Sequence, residues 1–308
     1  MNTTFRKGVP CSTYSILAYD KAEGVMGIGV QSHFFSVGSA VPWVEAGTGA
    51  VATQAMVNIQ FGPDGLECLG EGSDAEETLA YLLAGDEGRE SRQAAVCDTA
   101  GNIAAHTGKN CIPEADHLIR GSYSVQANMM LRNTVCGKMA AAFERAEGIL
   151  AEKILISLFT AENEGGDIRG RQSAAIKIVR IEKSGRVNQD NVLCLRVEDH
   201  PAPLTEMQRL LSLHRAYRLL DEGDNALEKG EKDRAFSVYR KALSLAPENL
   251  EMKYWYAVSL ANFGEIEKAA VLFGEVYAED ENWRELTRRL PEARLLKVSE
   301  KEIDKILG

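Results

Sequence analysis

The sequence lacks any uninterrupted apolar run of about 18 residues, the length that a membrane-spanning helix requires. Its first dozen residues contain two basic side chains but no apolar stretch, so they do not resemble a secretory signal. We therefore predict no membrane association and a cytoplasmic location. With 308 residues, 45% of them hydrophobic, the chain is long enough for two domains that each bury a core.

Basic residues are outnumbered by acidic ones, 35 against 45, which gives a net charge of −10. Proteins that bind nucleic acid need a basic face to contact phosphates. We therefore expect no nucleic-acid partner.

Cysteine is also scarce, and no two of the six cysteines are spaced as C-x-x-C. Gly27 and Gly29 lie on a predicted strand that no helix follows, which argues against a dinucleotide-binding loop. The spacing of four potential metal ligands matches no zinc motif: Cys97, His106, Cys111 and His117. We predict no metal and no cofactor.

Glycine becomes rare in the last third of the chain. Residues 1–200 contain 22 of the 27 glycines, whereas residues 201–308 contain five and are richer in charge. The segment 199–203, with two prolines, is typical of a linker. We predict an N-terminal extension over 1–12, one domain over 13–200 and a helical domain over 201–308.

The helical region contains an internal repeat. Gly223, Ala235 and Tyr239 recur 34 residues later as small or aromatic residues, Ala257, Ala269 and Phe273. This period resembles tetratricopeptide repeats, although a generic array of helical hairpins remains open. Such repeats usually dock a protein or peptide, and here they could equally form a homodimer interface. Because two units are too few to stand alone, helices over 205–220 and 283–307 are expected to cap them.

The first region predicts hairpin-linked strands and grouped helices. Ser73 and Glu76 have the spacing of a capping box, and glycine and proline at 62–65 indicate a break in the chain. Strands and helices that are grouped in this way favour an α+β fold, a four-layer αββα sandwich, over a doubly wound parallel sheet. The predicted strands are 13–20, 25–32, 38–44, 49–55, 92–98, 102–107, 123–130, 173–182 and 192–197; the predicted helices are 73–83, 134–146 and 150–161.

Several strings of residues, in order, carry a resemblance to a known family. The most specific are Gly49-Ala50-Val51-Ala52-Thr53-Gln54 and the string from Gly165 to Ala174, GGDIRGRQSA. With Val125-Gln126-Ala127-Asn128, they resemble domain-of-unknown-function family 1028, which is placed in the N-terminal nucleophile hydrolase superfamily. The resemblance covers about residues 12–182.

The resemblance implies that the first residue of the mature chain attacks an amide carbonyl, with its own α-amine as the base. The matching residue is Thr13, and family members commonly begin with Met-Thr. Here twelve residues precede Thr13, so its nitrogen is an amide unless the bond after Ser12 is cleaved. Cys11 is a rival nucleophile after cleavage following Pro10. Two further departures are His33, where the family usually has arginine, and Ala127, where glycine is common.

The resemblance and the residue types suggest roles for eight side chains. Neutral amides suit an oxyanion or a substrate amide, but they also cap loops: Gln54, Asn58 and Asn128. His33 could transfer protons or be an ordinary loop histidine. Arg92 and Arg169, the latter oriented by Asp167, could bind a substrate carboxylate or form structural ion pairs. With Thr13, these residues form the candidate site.

Three functions remain open at this point. The first is an amidohydrolase acting on a small, anionic amide or peptide-like substrate. The second is a non-catalytic ligand-binding module that uses the same pocket without a free amine. The third is an adaptor whose function lies in the repeats.

Overall fold

The computed structural model describes residues 13–308, which divide into two compact units at Arg209 and Leu210. The predicted extension 1–12 and Cys11 lie outside the described residues. The α+β class predicted from the sequence is confirmed. Among the described residues, no helix combines the length and the apolar character that a membrane span requires.

The first unit contains two antiparallel sheets. The six-stranded sheet has the order β10-β9-β2-β1-β8-β7, and the four-stranded sheet has the order β3-β4-β5-β6. The strands are β1 (Thr13–Asp20), β2 (Val25–Ser32), β3 (Pro42–Glu45), β4 (Gly49–Ala55), β5 (Arg92–Asp98), β6 (Ile103–Thr107), β7 (Asp116–Arg120), β8 (Tyr123–Asn128), β9 (Ser173–Arg180) and β10 (Asn191–Val197).

Two pairs of helices pack on these sheets. Helices α1 (Phe61–Gly70) and α2 (Ala75–Ala84) contact the four-stranded sheet, and α3 (Val135–Arg145) and α4 (Leu150–Asn163) contact the six-stranded sheet. Gly29 permits the close approach of α4, since a Cβ there would lie 2.2 Å from the Ile154 side chain. A short helix, α5 (Val187–Asp190), lies between β9 and β10.

The two sheets face each other across an apolar layer. The six-stranded sheet contributes larger side chains such as Leu17 and Ile28, and the four-stranded sheet contributes small ones such as Ala50, Ala52 and Ala95. Side chains alternate between the two faces of a strand. On each strand, the residue two positions from one of these core residues therefore points into the same layer. At one end of the sheets those residues are polar, and they form the candidate site.

Several predicted elements were wrong in detail. Helix α1 occupies the segment predicted as a break, because Pro63 lies in its first turn, where no backbone N–H is needed. The capping box of α2 is one residue later, with Asp74 as the N-cap and Glu77 as its partner. The strand predicted over 38–44 is a 3₁₀ turn at Val37–Ser39 followed by β3. Strand β7, at the sheet edge, was not predicted.

The second unit is helical. Helix α6 (Pro203–Glu228) begins at a proline assigned to the linker and contains the division between the units. It is followed by α7 (Lys232–Leu245), α8 (Leu250–Asn262), α9 (Ile266–Glu279), α10 (Asn282–Arg289) and α11 (Glu300–Leu307). The single helix predicted over 283–307 is therefore two helices, interrupted near Pro291, which cannot donate a helical hydrogen bond.

The core of the second unit is dominated by aromatic side chains. Tyr239, Tyr254 and Phe273 are almost completely buried. Gly223 lies against the ring of Tyr239, where a Cβ would come within 2.3 Å of the ring. A glycine therefore allows α6 to approach this part of α7.

Candidate functional site

Three strand ends meet at Thr13. Thr13 is the first residue of β1, and it pairs in register with Ser32 at the end of β2 and with Asn128 at the end of β8. The Oγ1 atom of Thr13 donates to Oγ of Ser32 at 3.3 Å. All three side chains are buried. The antiparallel pairing of β1 with both neighbours places these ends together.

Two of the predicted amides hold the main chain of Thr13. Nε2 of Gln54 and Nδ2 of Asn128 each donate to the carbonyl oxygen of Thr13 at 3.3 Å. Both amides also donate to Oε1 of Gln93, at 2.6 Å and 3.0 Å respectively. The structure thus brings Thr13, Gln54 and Asn128 together, and it adds Gln93, to which the sequence analysis assigned no role.

Gln93 is the centre of this network. It pairs in register with Gln54, and its side chain is fully buried. Its Nε2 contacts three acceptors: Oγ1 of Thr107 at 2.8 Å and the carbonyl oxygens of Ala127 at 2.9 Å and Asp116 at 3.1 Å. Gln93 therefore links the four-stranded sheet to strands β7 and β8 of the other sheet.

The network extends to a histidine at the sheet edge. Oγ1 of Thr107 lies 2.8 Å from Nδ1 of His117. Thr107 accepts from Gln93 and keeps its own proton, and the tautomer of His117 decides which of the two atoms donates. Burial lowers the pKa of His117, which favours the neutral ring. His117 was considered only as a metal ligand, and no group of side chains suited to a metal occurs among residues 13–308.

A serine beneath Thr13 links Gln54 to one further amide, Gln126. Oγ of Ser15 lies 2.7 Å from Oε1 of Gln54 and 2.8 Å from Oε1 of Gln126. A hydroxyl has one proton, so Ser15 donates to one of these oxygens at a time. This end of the layer between the sheets is consequently a connected set of hydroxyls and carboxamides.

Asp167 and Arg169, in the turn that the long glycine-rich string encodes, form a second cluster with His33, which follows β2. The Asp167 carboxylate accepts from the backbone N–H groups of His33 and Arg169, both at 2.9 Å. Nη2 of Arg169 donates to the same carboxylate at 3.0 Å. Asp167 is buried and the imidazole of His33 is exposed. His33 is adjacent in sequence to Ser32, so this cluster borders the Thr13 network.

Arg92 and Asn58 belong to a third cluster, centred on Asp86. Nε of Arg92 donates to Asp86 at 2.7 Å, and Nη1 donates to the carbonyl oxygen of Met56. Nδ2 of Asn58 donates to the same carboxylate at 3.3 Å, and its Oδ1 accepts from the N–H of Gln60. The hydrogen bond from Arg92 lowers the pKa of Asp86. These contacts are those of an ion pair and a capped turn.

Two of the buried cysteines have strongly shifted pKa values. Burial raises the pKa of both Cys97 and Cys136 to about 12. A thiol reacts as its thiolate, so these two side chains are unreactive near neutral pH.

The comparisons with known proteins identify the family. The model of a family of unknown function, DUF1028, matches residues 13–207, more than half of the chain. The chain belongs to the DUF1028 family. Comparison with curated proteins gave no match.

A solved structure is similar to this DUF1028 chain. The crystal structure of protein SPO2555 from Silicibacter pomeroyi, also of DUF1028, matches with a TM-score of 0.59 and 29% sequence identity. The match covers 65% of the present chain and 84% of that one. The family match includes all three clusters and ends before most of the helical unit.

Proposed function

We propose that the first unit is an amidohydrolase of the N-terminal nucleophile type, with Thr13 as its nucleophile after the Ser12–Thr13 bond is broken. Cleavage would convert the Thr13 nitrogen from an amide to an amine, whose ordinary pKa is about 8. Such an amine can accept a proton near neutral pH, whereas an amide cannot.

The observation that carries this proposal is the position of Thr13. It begins a central strand, its hydroxyl contacts Ser32, and two carboxamides hold its carbonyl oxygen. The order of helix pair, four-stranded sheet, six-stranded sheet and helix pair supports the αββα sandwich of that superfamily. A nucleophile on a regular strand is held more rigidly than one on a loop.

The reaction would proceed in two steps. Oγ1 of Thr13 forms a bond to the substrate carbonyl carbon, its proton passes to the α-amine and then to the leaving amine, and the carbon–nitrogen bond breaks. Water next attacks the resulting ester, restores the Thr13 hydroxyl and releases the carboxylic acid. In this proposal the amides of Gln54 and Asn128 stabilise the negative oxygen, and each must first release its bond to Thr13 or Gln93.

The proposal that the substrate is anionic depends chiefly on Arg169. The guanidinium of Arg92 already binds Asp86 and the carbonyl oxygen of Met56. The side chain of Arg169 is 29% exposed and borders the network through the turn at Asp167. Arg169 is also paired, with Asp167, and in this proposal its exposed part binds the substrate carboxylate while Asp167 fixes its direction.

The test is covalent labelling of Thr13 with a β-lactone, an electrophile that acylates activated hydroxyls. A variant lacking residues 2–12 would begin at Thr13 once its initiator methionine is removed. We expect mass spectrometry to find the acyl group on Thr13 in this variant. The matched Thr13→Val control, which keeps the shape of the side chain, should remain unlabelled. Absence of the adduct from the folded shortened variant would contradict the proposal.

A second candidate is a non-catalytic ligand-binding module on the same fold. The observation that favours it is that the amides around Thr13 bond to one another and Thr13 is fully buried. A module of this kind would keep the Ser12–Thr13 bond and resist the electrophile.

For the second unit we propose tetratricopeptide-like repeats that dock a protein or peptide. Helices α7 and α9 both have 14 residues, and they begin at Lys232 and Ile266, which are 34 residues apart. This spacing supports the repeat. Retention of a partner by residues 204–308 in a pulldown would support docking, and retention only by the first unit would count against it.

A further inference from the structure

A cavity away from the Thr13 network has features of a ligand site. Its volume is about 270 Å³, at the small end of the range for small-molecule sites. It lies between β3, the edge strand of the four-stranded sheet, and β9 and β10 of the six-stranded sheet. None of the predicted site residues lines it.

One wall of the cavity is an indole held in a fixed position. Nε1 of Trp43 donates to the carbonyl oxygen of Ala40 at 3.0 Å. Gly62 of α1 lies against the same ring, where a Cβ would come within 2.2 Å of it. The indole is therefore fixed by one hydrogen bond and by α1, and it also lines the cavity. An immobilised aromatic ring can contact a planar ligand with little loss of side-chain entropy.

The cavity also contains an uncompensated positive charge. Lys177 on β9 lines it, is half-buried, and has no acidic partner within 4.0 Å among residues 13–308. The other basic residue there, Arg196, is paired with Glu198 at 2.7 Å and donates to Oγ of Ser36 at 3.0 Å. In a protein with a net charge of −10, an ammonium that has no acidic partner in the described part of the chain, beside an aromatic wall, is suited to an anion.

We propose that this cavity binds a small organic anion with a planar apolar body, such as an aromatic carboxylate or sulfonate. The ammonium of Lys177 binds the acidic group, and the ring of Trp43 contacts the apolar body. This site is independent of the proposed hydrolase function, because it shares no lining residue with the Thr13 network.

The test uses the full chain and anilinonaphthalenesulfonate, a sulfonate with a planar naphthalene ring whose fluorescence rises on binding. Replacing Lys177 by Gln removes a charge-assisted contact, so the Kd should rise about tenfold. Lys177→Arg, which keeps the charge, should change the Kd by less than about threefold. The matched control is Lys109→Gln, an exposed lysine outside the cavity, and its Kd should equal that of the wild type.

Cys194, an exposed thiol in the cavity lining, gives a second readout that needs no change at Lys177. N-ethylmaleimide should abolish the high-affinity fluorescence of the wild type and leave that of Cys194→Ser unchanged. The proposal is overturned if Lys177→Gln and Lys109→Gln bind the probe equally, or if the reagent has the same effect on both Cys194 forms.

Discussion

The two units bury different chemistry. Between the sheets of the first unit, carboxamides and hydroxyls fill one end of the interior, with Gln93 at their centre. The second unit packs aromatic rings instead, and apart from its tyrosines, Thr287 is the one buried polar side chain among its described residues. Buried polar groups cost free energy unless every one is hydrogen-bonded. The polar interior of the first unit is therefore not explained by stability alone. The interior of the second unit is explained by the packing of its aromatic side chains.

The largest loss of stability is expected when an aromatic ring is removed from the core of the second unit. Phe273 is fully buried against Tyr254 and Tyr277, so Phe273→Ala should lower the free energy of unfolding by about 3–5 kcal/mol. Urea denaturation followed by circular dichroism measures this loss. On the same helix, Val271→Ala removes a 62% exposed side chain and should cost less than about 0.5 kcal/mol. If both variants lost the same free energy of unfolding, the second unit would not have an aromatic core.

The next largest effect should come from the polar interior of the first unit. Gln93→Leu keeps most of the volume but removes the acceptor of Gln54 and Asn128 and the donor to Thr107. Leaving buried groups unpaired should lower the free energy of unfolding by about 2–3 kcal/mol.

Urea denaturation of Gln93→Leu is compared with that of Gln189→Leu, which changes an exposed glutamine in the same unit. The control should retain the wild-type stability within about 0.5 kcal/mol. A Gln93→Leu variant as stable as its control would show that the network does not hold the sheets together.

A smaller effect is expected at the buried polar residue of the second unit. Oγ1 of Thr287 contacts the hydroxyls of Tyr277 at 2.7 Å and Tyr254 at 3.0 Å. Thr287→Val should cost about 1–2 kcal/mol of unfolding free energy, and Thr287→Ser should restore part of it. If Thr287→Val costs more than Gln93→Leu, then the distinction between the two interiors is wrong.

The smallest effect is a dependence on pH. Burial lowers the pKa of His117, so the folded state prefers the neutral ring and the unfolded state binds more protons below about pH 6.5. This contribution to stability is present above the unfolded pKa and is lost as the pH falls through 6.5 and below.

His117→Gln should therefore lose less stability than the wild type between pH 7.5 and pH 5.5 in urea titrations. His214, whose pKa burial also lowers, provides the comparison in the second unit through His214→Gln. If the His117→Gln variant loses as much stability over this pH range as the wild type, then the folded state does not favour the neutral ring of His117.

Much of the first unit could be predicted because its strands alternate and end at turn glycines. Helix α1 could not, since Gly62 and Pro63 are typical of breaks. The structure uses Gly62 for close contact with Trp43, a requirement that becomes visible only in three dimensions. Strand β7 was missed because it is a partly exposed edge strand with little apolar alternation.

The candidate site was predicted unevenly for a similar reason. Thr13, Gln54 and Asn128 came from the family resemblance, and the structure brings them together. Gln93 was visible as an amide on an apolar strand, but its importance depends on its register opposite Gln54. Arg92 carried a charge suited to a substrate, and only the fold reveals its partner, Asp86.

The central claim is that cleavage of the Ser12–Thr13 bond gives Thr13, which lies in the polar interior of the first unit, a free α-amine. Its most direct test is the intact mass and N-terminal sequence of the protein purified from its native host. The account predicts a mature chain that begins at Thr13. A chain that still carries residues 2–12 would lack the base that the reaction requires and would contradict the claim.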